Sequence, residues 1–149
     1  MAVTTFAAID IGSYEVSMKI FEMSKRIGFR EINDVRYQLE LGRGTYAAGR
    51  LEMETVDELC ETLNDFKRMM ADFGVESWRA CATSSLRELK NPVIILEQIY
   101  QRTGIRVEIL SNAEQHFLGY KSIAAIEPNI SPETFRIEAS SGSSKSLER

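Results

Sequence analysis

The sequence predicts an α/β domain, a mixed five-stranded sheet flanked by helices. Three observations point there. Between Thr5 and Leu41 three extended segments follow one another with only short turns between them, which makes an antiparallel meander. From Thr55 onward, segments of helical period alternate with short apolar runs, the pattern of strands added through crossover helices. The 149 residues are 44% hydrophobic and 27% charged, the balance of one globular domain able to bury a sizeable core.

Composition also narrows the partners. A net charge of −4 argues against a broad nucleic-acid surface, although a local cationic pocket for a polyanion is compatible with it. No apolar run reaches the length of a membrane span, and the start lacks the basic-then-apolar pattern of a secretory signal. Cys60 and Cys81 are isolated within apolar patterns and read as free thiols in a reducing cytoplasm.

Taken in order, Thr5 to Ile11 is the first strand, Glu15 to Met23 the second, and Phe29 to Leu41 a long third with Val35, Tyr37, Leu39 and Leu41 on one face. The glycine-rich stretch from Gly42 to Arg50, with two arginines, reads as a loop: either a flap over a ligand or a plain connector. Thr55 and Glu58 fit a capping box opening a long helix, whose core stripe runs from Val56 through Leu59, Cys60, Leu63, Phe66, Met69 and Met70 to Phe73. Gly74 stops it.

Ser77 to Thr83 is an apolar, buried fourth strand. Asn91 and Pro92 open a helix that Gly104 closes. Ile105 to Leu110 is the fifth strand. Ser111 and Glu114 form a second capping box, for a helix to about Ile126 with Phe117, Leu118, Tyr120, Ile123 and Ala124 inward. Residues 127–149 hold a loop, a candidate strand from Phe135 to Glu138, and a Ser/Gly-rich end expected to be flexible.

Two stretches carry candidate chemistry. Asp10-Ile11-Gly12-Ser13 closes the first strand with an acid, a glycine and a hydroxyl. Bare amides at such a turn bind phosphate oxygens, and the acid can hold a divalent metal against them. The same residues equally describe an ordinary β-turn capped by Asp10. Thr83-Ser84-Ser85-Leu86-Arg87-Glu88 puts hydroxyls and a guanidinium where a strand gives way to a helix, an edge suited to anions. Arg87 alternatively pairs with Glu88 as a solvated helix-start residue.

The element order is that of the ribonuclease-H-like fold shared by actin, the Hsp70 chaperones and sugar kinases. Four blocks make the resemblance specific. Ala7 to Ser13, Leu39 to Gly42 with Gly49-Arg50-Leu51, Ala80 to Glu88 with Asn91, and Ile109 to Glu114 resemble, in order, the motifs of the exopolyphosphatase / guanosine pentaphosphate phosphatase (Ppx/GppA) family. A sugar or acetate kinase relative would share the hairpin but not the Thr83–Glu88 block.

The resemblance implies a Ppx/GppA-like phosphate-binding domain over residues 1–126, the first lobe of a two-lobed protein, with 127–149 a loop and flexible or truncated tail. It implies hydrolysis of terminal phosphoanhydrides of polyphosphate or guanosine polyphosphate with Mg²⁺; the composition adds the expectation of a cytoplasmic protein that binds neither nucleic acid nor membrane. Asp10 would serve the metal; Gly12, Ser13, Thr83, Ser84 and Arg87 would hold phosphate.

Glu114 and Gln115 stand where the family has consecutive glutamates, so the presumed base position is an amide. That leaves a second reading, an impaired relative that binds polyphosphate or a nucleotide as a sensor or interaction domain. His116, the sole histidine, is next to it and reads as a structural residue or a substitute base. Glu138 to Ser143 resembles a degraded form of the family's second phosphate loop. The sheet edge left by a missing strand makes a homodimer an expectation.

Overall fold

The structure, a computed structural model, describes residues 2–126. It falls into two compact units, one up to Ile109 and the other from Leu110 on.

The first unit is built on a five-stranded sheet. Strands β1 (Thr4–Ile11), β2 (Glu15–Ser24) and β3 (Gly28–Gln38) form the expected antiparallel meander. β4 (Ser77–Ala82) runs parallel to β1, and β5 (Val107–Ile109) parallel to β4, giving the order β3-β2-β1-β4-β5. The mixed sheet therefore follows the sequence expectation strand for strand.

One face of this sheet carries the core. Ala7, Ile9 and Ile11 of β1 and Val16, Met18 and Ile20 of β2 are buried at alternating positions, as the period of a strand requires. Helix α2 (Met53–Asp72) lays Val56, Leu59, Cys60, Leu63, Phe66 and Met70 into the same core. Full burial of such side chains contributes roughly 1.5–3 kcal/mol each. Helix α4 (Pro92–Thr103) adds Ile99, and Gly104 ends it with an N–H bond to the Tyr100 carbonyl at 2.8 Å.

Several expectations are corrected. Gly42 to Ala48 is not a loop but most of helix α1 (Leu41–Ala48), closed by Gly49. Its glycines answer to crowding rather than flexibility: a Cβ on Gly42 would stand 2.8 Å from Tyr46 Cε2 and 2.9 Å from Ser13 Cβ, and one on Gly44 2.8 Å from the Arg50 carbonyl oxygen. β3 accordingly stops at Gln38, and Leu39 and Leu41 are buried beyond it.

The long helix starts two residues before Thr55. The Val56 N–H already bonds to the Glu52 carbonyl, so Thr55 lies inside the first turn and no side chain caps it. Phe73 is 43% exposed instead of joining the stripe. β4 is buried only at Ala80 and Ala82, because β5 pairs with residues 80–82 alone and leaves Ser77, Trp78 and Arg79 uncovered.

A short helix α3 (Ser84–Arg87) links β4 to α4. Asn91 precedes α4 but makes no side-chain cap bond, while Pro92 takes the first turn as expected. In the second unit, α5 (Asn112–Ile126) opens with the expected capping box: Ser111 N–H to Glu114 Oε2 at 2.8 Å and Glu114 N–H to Ser111 Oγ at 3.1 Å. Phe117 and Leu118 are exposed rather than inward. The candidate strand at Phe135–Glu138 and the degraded loop at Glu138–Ser143 lie outside the described residues, as do the side chains of Tyr120, Ile123 and Ala124.

Candidate functional site

β1 and β4 are parallel neighbours that end in register, Ile11 opposite Ala82. The Gly12–Ser13 turn and the Thr83–Ser84 junction therefore emerge side by side at one sheet edge, the carboxyl ends where ligands of open α/β sheets bind. Backbone and buried hydroxyl fasten them together. The Ile11 carbonyl accepts from Thr83 N–H at 3.5 Å and from Ser85 Oγ at 3.2 Å, and Ser85 is fully buried.

Helix α1 is pinned over both. Gly42 N–H bonds to the Ser13 carbonyl at 2.7 Å, and Thr45 Oγ1 donates to the Ser85 carbonyl at 2.7 Å. One turn along, the Tyr46 hydroxyl lies 2.7 Å from Ser13 Oγ and donates to Ser84 Oγ at 2.7 Å, while Ser13 Oγ and Ser84 Oγ are 3.2 Å apart. Three hydroxyls from three elements thus close a triangle. Each has one proton and two lone pairs, so a closed ring satisfies every donor internally. An arriving anion is bonded only when at least one O–H rotates outward.

Asp10 alternates with buried Ile9 and Ile11 on β1, so it stands on the opposite side of the sheet from the core and is exposed. Loss of hydration, and secondly the Glu15 carboxylate, push its carboxyl above the ordinary aspartate value. Among the described residues it has no ion-pair partner and caps no turn, which removes the plain capped-turn alternative. Gly12 corrects a different expectation: its N–H is not bare but donates to the Glu15 carbonyl at 2.9 Å, closing the turn.

Thr83 is half-buried, and its carbonyl accepts the Leu86 and Arg87 amides. The Arg87 side chain is only 21% exposed, with Nε 3.5 Å from Glu88 Oε1. It makes the expected pair with Glu88 but is not solvated. Asp10, Ser13, Thr83, Ser84 and Arg87 accordingly belong to one unit and one sheet edge. Glu114, Gln115 and His116 belong to the second unit, all exposed, and the Glu114 carboxylate is turned back onto the Ser111 amide.

Sequence reasoning missed Tyr46, Thr45 and Ser85. The glycines around the first two disguised a helix, although Leu41 and Thr45, four residues apart and both buried, are its signal.

A divalent cation fits here only in shared coordination. Among the described residues no three His, Cys, Asp or Glu converge. Mg²⁺ commonly takes one or two carboxylates and completes its shell with water and phosphate oxygens, a demand that the uncompensated Asp10 meets.

The class of protein this sheet and edge define is the actin-like, ribonuclease-H-like fold. A Ppx/GppA family member from Aquifex aeolicus matches with a TM-score of 0.71 and 30% identity, covering 77% of this chain and 37% of that one. The model of the Ppx/GppA phosphatase family matches residues 20–133, and this chain belongs to that family. Curated relatives include Exopolyphosphatase 1 of Mycobacterium leprae, 22% identical over 77% of this chain and 34% of its own length. The guanosine-5'-triphosphate,3'-diphosphate pyrophosphatase of Vibrio parahaemolyticus is 25% identical over 80% of this chain and 24% of its own length. The chain thus spans about a third or less of the length of these relatives. Among the described residues no helix is long and apolar enough to cross a membrane.

Proposed function

We propose that this chain forms the phosphate-holding first lobe of a phosphatase that hydrolyses terminal phosphoanhydrides of inorganic polyphosphate or guanosine pentaphosphate. The observation that carries this reading is the Ser13–Tyr46–Ser84 triangle, built on the sheet edge that also bears Asp10 and Arg87. Such transfer needs charge neutralisation and positioning more than covalent chemistry. The hydroxyls of Ser13, Thr83 and Ser84 bond phosphate oxygens, Gly12 shapes the turn that presents Ser13, and Arg87 offsets the developing charge. Asp10 is the residue that would hold Mg²⁺, and the bound ion would supply further neutralisation of the phosphate oxygens. The names of the relatives support both substrate types. A cytoplasmic setting and no partner beyond the substrate or a second copy complete the proposal.

A second reading, a binding relative without strong catalysis, is favoured by one specific observation. Glu114 accepts the Ser111 amide, and its neighbour Gln115 has no carboxylate to take a proton from water. Phosphate release from polyphosphate with Mg²⁺, measured on the longest form of the protein and on its Gln115→Glu variant, separates the two. Release by the unaltered protein supports the phosphatase. Release by the variant alone supports a binding role. No release by either folded protein, together with no binding of polyphosphate, removes both.

A further inference from the structure

A cavity of about 420 Å³ opens at the far end of α1, where no role has been assigned. Ala48, Gly49, Arg50 and Leu51 form one wall; Leu89, Lys90, Asn91, Ile94 and Ile95 form the other. Its lining begins two residues beyond Tyr46 on one chain segment and two beyond Arg87 on the other, so the segments that build the phosphate edge also build this pocket. The Gly49 carbonyl accepts the Lys90 amide at 2.9 Å and ties the walls together.

Its lining has two characters. Leu51, Leu89 and Ile95 pack against the core, and Ile94 is 57% exposed at the surface. Arg50 and Lys90 are exposed cations that form no salt bridge with any described residue, whereas seven of the ten described arginines are paired with carboxylates. Asn91 is also exposed, with a side chain that caps nothing. The volume is within the range of small-molecule sites, which are mostly apolar with a few placed polar groups. Two uncompensated cations select an anion. The aliphatic walls give nothing to a bare inorganic phosphate but bury an organic body, and Asn91 offers both a donor and an acceptor to a heterocycle edge.

We propose that the cavity between the end of α1 and the start of α4 is a second ligand site that takes a nucleoside monophosphate, with the phosphate on Arg50 and Lys90 and the nucleoside against Leu51, Ile94 and Ile95. This site goes beyond the phosphate edge and does not depend on it.

The test is amide NMR titration of the full 149-residue chain with guanosine and adenosine 5'-monophosphate, and with inorganic phosphate as the comparison. The expected result is saturable shifts at Gly49, Arg50, Lys90 and Asn91 for at least one nucleotide and not for inorganic phosphate. Arg50→Ala with Lys90→Ala should weaken that nucleotide about tenfold or more, as loss of charge-assisted bonds does. Ile94→Ser, at an exposed position that leaves the core intact, should weaken it severalfold. Tripolyphosphate binding lost in Arg87→Ala but kept in the pocket variants would show the two sites to be separate. The proposal is overturned by absence of saturable nucleotide binding, by shifts confined to Ser13, Tyr46 and Ser84, or by equal shifts with inorganic phosphate. Failure of the phosphatase reading would instead appear as loss of tripolyphosphate binding and turnover with the nucleotide shifts intact.

Discussion

Replacing Gly42 by alanine puts two rules in opposition. Alanine is favoured over glycine by up to about 1 kcal/mol in a helix, and Gly42 is the second residue of α1. At this position, however, the new Cβ would stand 2.8 Å from Tyr46 Cε2, 2.9 Å from Ser13 Cβ and 3.3 Å from the Ser13 carbonyl oxygen. The Tyr46 ring is half exposed and can swing aside, but its hydroxyl then leaves both Ser13 and Ser84. Ser13 cannot retreat without breaking the 2.7 Å bond from Gly42 N–H. Overpacking costs roughly 1–3 kcal/mol, and the exposed hydroxyl bonds add about 1 kcal/mol more. Set against the helix gain, Gly42→Ala should lose about 1–3 kcal/mol, a fall of roughly 3–9 °C in Tm for a chain of this size. Thermal unfolding followed by circular dichroism measures it. Ala47→Gly, exposed in the same helix, isolates the propensity contribution. Affinity for tripolyphosphate should change with it, because the new Cβ displaces both Tyr46 and Ser13. A Tm that rises in Gly42→Ala, with tripolyphosphate affinity unchanged, would refute the reasoning: helix propensity would then outweigh the close approach.

Four further outcomes are expected. Tyr46→Phe keeps the ring but opens the hydroxyl triangle, so Ser13 and Ser84 are freed for an anion; tripolyphosphate affinity should change severalfold while Tm falls by about 2–4 °C, and an unaltered affinity would remove Tyr46 from the site. Leu63→Ala, at a fully buried core position, should cost about 2–5 kcal/mol in denaturant unfolding. The raised Asp10 carboxyl means that the folded state holds that proton more tightly than the unfolded chain does. Its contribution to stability is therefore full below the unfolded value of 3.8 and lost as pH rises through the raised folded value, so Asp10→Asn should raise Tm at pH 7 and flatten that part of the stability–pH curve. Sedimentation of the chain tests the expected homodimer. The edge strand β3 carries Arg30, Glu31, Asp34 and Arg36 and, at Ile32, the extra residue of a register shift opposite Ile20 and Phe21 of β2, devices that oppose edge pairing, and a monomer at all concentrations would end that expectation.

The strands and the two large helices were legible because their signals are local. Alternating apolar residues in β1 and β2, the heptad-like spacing in α2, and Pro92 with Gly104 around α4 each dictate a conformation without reference to the rest of the chain. Helix α1 was not, because Gly42 and Gly44 lower helix propensity and only the long-range approach of Ser13 and the Arg50 carbonyl explains them. The edge where Asp10, Ser13, Thr83 and Ser84 meet could be anticipated from the parallel β1–β4 pairing. The part played by Tyr46 could not, since it depends on how α1 is rotated over that edge. The bare amide expected at Gly12 failed for a similar reason: the hairpin uses it to close its own turn.

The distribution of carboxylates bears on catalysis. Ser111 and Glu114 satisfy each other's amides at the start of α5, an exchange worth about 1 kcal/mol to a helix terminus. Glu114 is thus committed to the cap through Oε2. In the proposed reading a pair of consecutive glutamates would divide the labour, one capping the helix and the next remaining available. With Gln115 in the second place, only the capping member remains here. Under the proposed reading, Gln115→Glu adds that free carboxylate without disturbing the cap; a gain of phosphate release in that variant, with Tm unchanged, would support position 115 as the place of the base, and no gain in the folded variant would count against it.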